Sequence, residues 1–118
     1  MRCPLLYARE IRILRLLSHA NIIKLRCVIP PDGNHFDHIY ILYEHMETNL
    51  ENIIQSTQNL TEVHMKLFMG QLLSGLAYIH GALVIHRDLK PKSILVNSNC
   101  VLKVDLLAAI ICPHRNMF

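Results

Sequence analysis

The chain has 118 residues, of which 52% are hydrophobic, so it holds enough core material for one globular domain and is not a disordered segment. Its formal net charge of +3 comes from basic and acidic residues mixed along the sequence, without the Lys/Arg block that nucleic-acid binding requires. The longest apolar runs, such as "LLAAIIC" at 106–112, are far shorter than the roughly 20 residues of a membrane-spanning helix. We therefore expect no nucleic-acid partner and no membrane span.

The cysteines point to a reducing compartment. They are widely separated and form no C-x-x-C pair, and the N-terminus does not resemble a secretory signal. We therefore expect free thiols in a cytoplasmic or nuclear protein, at Cys3, Cys27, Cys100 and Cys112.

The first part of the chain predicts one helix and two strands. In "AREIRILRLLSH" (8–19) apolar residues recur at helical spacing between arginines, which is typical of an amphipathic helix. The segments "NIIKLRCVI" (21–29) and "HIYILYE" (38–44) are rich in β-branched and aromatic residues, and "PPDGNHFD" (30–37) between them has turn residues. This pattern predicts an antiparallel strand pair.

Two helices and a hairpin are predicted next. A short helix is expected at "LENIIQS" (50–56), and a long one from an N-cap at Thr61 to a stop at Gly81. The long helix is apolar nearly all round, which predicts that neighbouring elements cover several of its faces. The segments "SILVN" and "VLKV" on either side of "SNC" predict a small hairpin.

Between the long helix and the hairpin lies "VIHRDLKPKSILVN" (84–97), which resembles the catalytic loop of protein kinases. The segments "REIRILRLLSHANII", "YILYEHMETNL", "LLSGLAYIH" and "VLKV" follow the order of that family, and together they resemble mitogen-activated protein kinases, especially those of plants. The resemblance covers about residues 8–105. A charged turn without catalytic role is the alternative interpretation of "HRDLK".

The resemblance implies an α+β fold that is part of a protein kinase domain, with helix C, two small-lobe strands, the hinge, the first large-lobe helices and the catalytic-loop hairpin. It divides the chain into a small-lobe remnant (1–44), a hinge (45–49), the start of the large lobe (50–105) and a tail (106–118) that matches nothing in the family.

The resemblance also assigns the residues of phosphoryl transfer. Asp88 matches the aspartate that accepts the proton of the substrate hydroxyl, and Lys90 matches the lysine that neutralises the transferred phosphate. His86 and Arg87 are expected to brace the loop. The implied reaction is phosphorylation of protein Ser or Thr by ATP with Mg in a signalling cascade.

Four residues match positions around the nucleotide. Glu44 and Met46 match the hinge, whose backbone carbonyl and amide groups bind the adenine edge, and Tyr43 matches the gatekeeper. Glu10 matches the helix-C glutamate, which pairs with the lysine that holds the ATP phosphates. The alternative for Glu10 is a glutamate on the helix surface with arginine neighbours.

The metal positions depart from the family pattern. Ser93 replaces an asparagine that binds magnesium, and a hydroxyl is a weaker donor than an amide carbonyl. Asp105 precedes the expected position of the metal aspartate by one residue, a slip that reverses the face on which a strand side chain lies. No Gly-rich loop or V-A-I-K strand precedes Tyr7, and no activation segment follows. The sequence therefore predicts impaired catalysis by this chain, with metal and ATP binding doubtful.

A non-catalytic site is also implied. In the mitogen-activated family a hydrophobic groove binds linear docking peptides of upstream kinases, phosphatases and substrates. Ile53, Leu60, His64 and Leu67 match its lining. Ordinary helix–helix core packing is the alternative for Ile53 and Leu67, since apolar residues at helical spacing need no ligand.

Three hypotheses for function remain open from the sequence. The first is a Ser/Thr protein kinase of the mitogen-activated type, the second a non-catalytic docking module or decoy, and the third a truncated product without independent function. Apolar surface left uncovered predicts self-association. A metal site at His35 and His38 is an alternative for "HFDH", without further clustered ligands to support it.

Overall fold

The computed structural model describes residues 4–30, 39–107 and 109–111. It is a mixture of helices and short antiparallel strands, as the α+β prediction requires. In chain order the elements are α1 (Pro4–Leu16), β1 (Leu25–Ile29), β2 (Tyr40–Tyr43), β3 (Thr48–Asn49), α2 (Leu50–Gln55), α3 (Glu62–Gly81), β4 (Val84–Ile85), a 3-10 turn (Pro91–Ser93), β5 (Ile94–Val96), β6 (Leu102–Val104) and β7 (Ile110–Ile111).

Helix α1 begins four residues before the predicted start and ends at Leu16, three residues before the predicted end. Pro4 is its first residue, where the missing N–H removes no helical hydrogen bond. Ile13 and Leu14 are buried, while Arg12 and Arg15 are exposed. The helix therefore packs by the apolar face that its spacing predicts.

Helix α3 has the predicted ends. Its N-cap is Thr61, which exchanges hydrogen bonds with His64 in a capping box where histidine replaces the usual Glu or Gln. Gly81 is the last helical residue, and Leu83 beyond it takes the left-handed conformation with φ of 60°.

The expected burial of α3 on several faces is wrong for the described structure. Only three of its residues are buried, namely Phe68, Gly75 and Ile79. An apolar face of the helix is exposed, because no described element packs against it; we call it the apolar face of α3, and it consists of Val63, Met65, Leu67, Met69 and Leu73.

The strands form three small antiparallel sheets, with orders β1-β2, β3-β5-β6 and β4-β7. The predicted hairpin is present as β5 and β6. The hinge ends in β3, which pairs with β5, and the tail contributes β7, which pairs with β4. These short strands were not predicted, because two-residue strands carry no periodic signal.

The predicted strand 21–29 is divided between two sheets. Only Leu25–Ile29 pairs with β2. The preceding residues contact β6 instead: the Val104 N–H donates to the Asn21 carbonyl at 2.8 Å, and the Ile23 N–H donates to the Val104 carbonyl at 3.0 Å. This segment therefore joins the small-lobe elements to the hairpin beside the catalytic loop.

One core joins the elements. It brings together residues of α1, the 21–23 segment, α3 and the hairpin, and it includes Leu106 just after the predicted metal aspartate. Its members are Ile13, Leu14, Ile22, Ile23, Phe68, Ile79, Val84, Ile94, Val96, Leu102, Val104, Leu106 and Ala109. Among the described helices, none has the length and apolarity needed to cross a bilayer.

Candidate functional site

The loop that carries Asp88 is held by a buried histidine. The His86 ring lies 4% exposed, its Nδ1 accepts the Asp88 N–H at 3.2 Å, and its Nε2 lies 2.6 Å from the Asp105 carbonyl oxygen. Since Nδ1 accepts this hydrogen bond, the neutral ring carries its proton on Nε2, and this N–H donates a hydrogen bond to the Asp105 carbonyl. His86 therefore fixes the loop to the segment after β6, as the resemblance implies.

Ser93 closes the same loop from its other end. Its hydroxyl accepts the Lys90 N–H at 3.1 Å and contacts the carbonyl oxygens of Lys90 at 2.8 Å and Asp88 at 3.3 Å. The side chain is buried. Through these hydrogen bonds Ser93 stabilises the 3-10 turn, a role that was not predicted from the sequence.

Asp88 and Lys90 lie at the surface of this loop as an ion pair. Lys90 Nζ is 2.7 Å from Asp88 Oδ2, and both side chains are about half exposed. The hydrogen bond from Lys90 lowers the pKa of Asp88 below its ordinary value. The pair thus places an ionised carboxylate, which can accept a proton, next to an ammonium group. Lys90 can neutralise a phosphate once its ammonium group moves away from Asp88.

The two predicted metal positions do not fit a magnesium ion as they stand. The Ser93 hydroxyl would have to give up its loop hydrogen bonds to bind a metal. Asp105 donates its N–H to the Ser93 carbonyl, and its Oδ1 accepts the Leu107 N–H at 3.3 Å. Burial raises the pKa of Asp105, which disfavours the anionic form that binds metals. The described residues contain no group of three or more His, Cys, Asp or Glu that would hold a metal.

Glu10 is buried, so the interpretation of it as a surface glutamate is wrong. Its carboxylate accepts a hydrogen bond from the Tyr43 hydroxyl, which joins α1 to the end of β2. Burial, followed by the contact with Glu10, raises the pKa of Tyr43 well above its ordinary value. The sequence held one signal for this position: Glu10 precedes Ile13 and Leu14 by three and four residues, which places it on the buried stripe of α1.

The segment predicted as the hinge is held in place by the Glu44 side chain as well as by backbone hydrogen bonds. Glu44 Oε1 accepts the Lys24 N–H at 2.7 Å and lies 3.0 Å from Lys103 Nζ in a largely buried ion pair. The Glu44 N–H donates to the Lys24 carbonyl at 2.9 Å. Met46 packs against the core. The sequence reasoning assigned only backbone contacts to Glu44 and missed its pairing with β6.

The predicted docking groove is partly assembled. Ile53, Leu60 and His64 line one cavity of about 420 Å³ between α2, α3 and the hairpin. Leu67 does not line it and belongs to the exposed apolar face of α3, whereas Phe68, which was not predicted, does line it. The Thr61 cap holds the His64 ring, whose centre lies 6.5 Å from that of Phe68. His35 and His38 lie outside the described residues.

Comparison with known proteins supports the family resemblance of the sequence. The family model described as "Protein kinase domain" matches residues 5–106. Over 97 residues, 81% of this chain, the sequence is 50% identical to mitogen-activated protein kinase homolog NTF6 of Nicotiana tabacum and 52% identical to mitogen-activated protein kinase 6 of Arabidopsis thaliana. It is also 52% identical to mitogen-activated protein kinase 1 of Oryza sativa subsp. japonica.

The matched region is a limited part of those relatives. It covers 26%, 25% and 24% of the three proteins respectively, so the chain spans about a quarter of the length of the curated relatives that it matches. The family model nevertheless accounts for most of this chain. The chain therefore belongs to the protein kinase family, and within that family it is similar to the mitogen-activated protein kinases of plants.

Proposed function

We propose that this chain is the hinge and catalytic-loop part of a Ser/Thr protein kinase of the mitogen-activated type. The observation that carries the proposal is the exposed Asp88–Lys90 pair on a loop fixed by His86 and Ser93. Asp88 accepts the proton of a substrate Ser or Thr hydroxyl, and Lys90 neutralises the phosphate that is transferred from ATP. Sites followed by proline are the proposed substrates, and the hinge at Glu44 and Met46 is the proposed adenine contact.

We further propose that phosphoryl transfer by this chain is impaired. The support is the use of the Ser93 hydroxyl inside the loop and the contact of Asp105 Oδ1 with the Leu107 N–H, so that both oxygens already serve the local backbone. Phosphoryl transfer depends on positioning and charge stabilisation, so weak metal binding lowers the rate directly.

The catalytic role is tested by phosphate transfer from radiolabelled ATP to a Ser-Pro peptide. We expect a low rate in the unmodified chain that falls at least about a hundredfold in Asp88→Asn, since proton acceptance is lost. Glu51→Gln is the matched control, because it removes a partly exposed carboxylate that lies 3.7 Å from Lys92 and away from Asp88 in sequence. A rate in Asp88→Asn equal to that of the unmodified chain contradicts the role of Asp88, and no transfer by the unmodified chain contradicts catalysis by this chain.

A measurement without turnover tests the Asp88–Lys90 geometry separately. Lys90→Met removes the hydrogen bond that lowers the pKa of Asp88, so we expect this pKa to rise toward its ordinary value in a carbon-detected NMR titration. Lys66→Met, which breaks an exposed pair on α3, is the control. An unchanged Asp88 pKa in Lys90→Met would show that the two groups are not paired in solution.

The proposed metal defect is tested by nucleotide binding with and without magnesium. We expect magnesium to change the ATP affinity of the unmodified chain by less than about twofold, and to tighten it in Ser93→Asn, where an amide oxygen becomes available. Ser74→Asn on α3 is the matched control. Tightening of about tenfold in the unmodified chain, lost in Asp105→Asn, would show that Asp105 binds the metal after all.

A docking module is the second candidate function, and the cavity shared by Ile53, Leu60 and His64 favours it. Such a module would bind linear peptides of upstream kinases or phosphatases without catalysis. In a titration with a fluorescein-labelled docking peptide of an upstream kinase, we expect Leu60→Asp to weaken binding about tenfold, because a carboxylate would enter the apolar lining. Leu73→Asp, exposed on α3 outside the cavity, should have no effect. Equal binding by Leu60→Asp argues against this groove.

A chain without independent function remains the third hypothesis, and it is supported if both the transfer assay and the peptide titration are negative. A cytoplasmic or nuclear location stays a prediction from the sequence.

A further inference from the structure

A second cavity lies on the small-lobe side, away from the catalytic loop and from the docking groove. It has a volume of about 320 Å³ and is formed by the end of α1, the turn after it and strand β1. We call it the α1–β1 cavity. Its lining consists of Leu14, Arg15, Leu17, Ser18 and residues 24–28.

The base of the α1–β1 cavity is apolar. Leu14 is buried in the core, and Leu17 and Leu25 pack against the core. A volume of about 320 Å³ is at the lower end of the range for ligand sites, and it suits one or two apolar side chains better than a whole cofactor.

The rim of the cavity carries three basic residues. Arg15, Lys24 and Arg26 are all exposed, and no acidic residue is part of the lining. Within residues 4–30, 39–107 and 109–111, the ion pairs involve other lysines, and these three cations take part in none of them. Three cations on one apolar cavity favour a ligand that is both anionic and apolar.

A bulge shapes the strand side of the cavity. Leu25 is opposite Tyr43 and Cys27 is opposite Leu42, so Arg26 is the extra residue in β1. A bulge interrupts the alternation of side chains between the two faces of a strand, which accounts for consecutive residues lining one cavity. In the described part of the chain β1 pairs with β2 alone, so its other edge is available to an extended peptide.

We propose that the α1–β1 cavity binds an extended acidic segment of another protein, with one or two apolar side chains inserted between α1 and β1. Acidic groups of the segment pair with Arg15, Lys24 and Arg26, and its backbone adds to the open edge of β1. Charge complementarity selects an acidic partner, and the apolar base with the strand edge selects a peptide over a nucleic acid or a free anion. This inference is independent of the proposed kinase and docking functions.

The test uses the full chain and three fluorescein-labelled heptapeptides. In the first peptide two phenylalanines alternate with aspartates; in the second, lysines replace the aspartates; in the third, alanines replace the phenylalanines. We expect fluorescence anisotropy to show binding of the first at least about tenfold tighter than that of either other peptide. Equal binding of the alanine peptide would overturn the proposal in favour of a simple anion site, and equal binding of the lysine peptide would exclude charge recognition.

A pair of variants separates local contact from general charge. Arg26→Glu should weaken binding of the aspartate–phenylalanine peptide about tenfold. Arg12→Glu, on α1 but outside the lining of the cavity, should change the affinity less than about twofold. Equal losses in the two variants would overturn the site, because only long-range attraction would then be acting. Circular dichroism of both variants checks that the fold is retained.

An exposed thiol gives a second readout. Cys27 lines the cavity and is a free, exposed cysteine, while Cys100 is a free cysteine in the β5–β6 turn. We expect the aspartate–phenylalanine peptide to slow alkylation of Cys27 by iodoacetamide and to leave that of Cys100 unchanged, as followed by peptide mass spectrometry. Unprotected Cys27 under saturating peptide would place the peptide elsewhere and refute the proposal.

Discussion

Asn21 joins the segment before β1 to α3 and to the β5–β6 hairpin. Its side-chain nitrogen donates to the Leu102 carbonyl at 2.9 Å and to Gln71 Oε1 at 3.1 Å. Its backbone carbonyl accepts the Val104 N–H at 2.8 Å. The residue is buried. Asn21→Ala removes the two side-chain hydrogen bonds and keeps the backbone one.

The expected loss follows from those two bonds. A typical intramolecular hydrogen bond contributes about 0.5–1.5 kcal/mol, and a buried acceptor left without a donor adds its own desolvation penalty. We therefore expect Asn21→Ala to lower the free energy of unfolding by about 2 kcal/mol. With a urea m-value of about 1–3 kcal/mol per M for a chain of this size, the midpoint should fall by about 1 M.

The assay is urea unfolding followed by circular dichroism at neutral pH. Asn59→Ala is the matched control, since Asn59 is exposed, and we expect its effect to stay within about 0.5 kcal/mol. A change in Asn21→Ala no larger than that of the control would refute the reasoning, because the contacts of Asn21 would then contribute nothing to holding the two parts together.

Three further predictions concern other parts of the chain. Burial raises the folded-state pKa of Asp105, so its carboxylate form destabilises the fold above the unfolded pKa of about 3.9. Asp105→Asn should therefore raise the urea midpoint at neutral pH, and this gain in the midpoint should disappear near pH 4. Gly75→Val should lower the free energy of unfolding by about 1–3 kcal/mol in the same assay, because a Cβ at this position would lie 3.1 Å from the Asn21 carbonyl oxygen. The apolar face of α3 predicts a dimer or aggregate on size-exclusion chromatography, and Met69→Lys should shift the chain toward monomer; a sharp monomer peak for the unmodified chain would contradict this.

Local sequence patterns predicted the helices and the catalytic loop. The apolar spacing of α1, the Thr61 cap and the Gly81 end of α3 act between residues a few positions apart, so the sequence contains all the information that they need. The order of motifs around Asp88 identified the family for the same reason, because each motif is a contiguous string.

Contacts between residues far apart in the sequence were harder to predict from the sequence. The predicted strand 21–29 has one continuous β-rich composition, yet its first residues bond to β6, which lies about eighty positions later in the chain. Of the four residues predicted for the docking groove, Ile53, Leu60 and His64 line one cavity, whereas Leu67 does not and its neighbour Phe68 does. Helical spacing fixes a face only to within about one residue position.

Local sequence patterns were enough to predict the family, the two ends of α3 and the residue types of the loop that carries Asp88. The partners of individual polar side chains depend on the packed structure: Glu10 with Tyr43, Glu44 with Lys103, and Ser93 within its own turn. The physical reason is that a polar group taken out of water must find a partner, and which partner lies within hydrogen-bond reach depends on how distant elements pack.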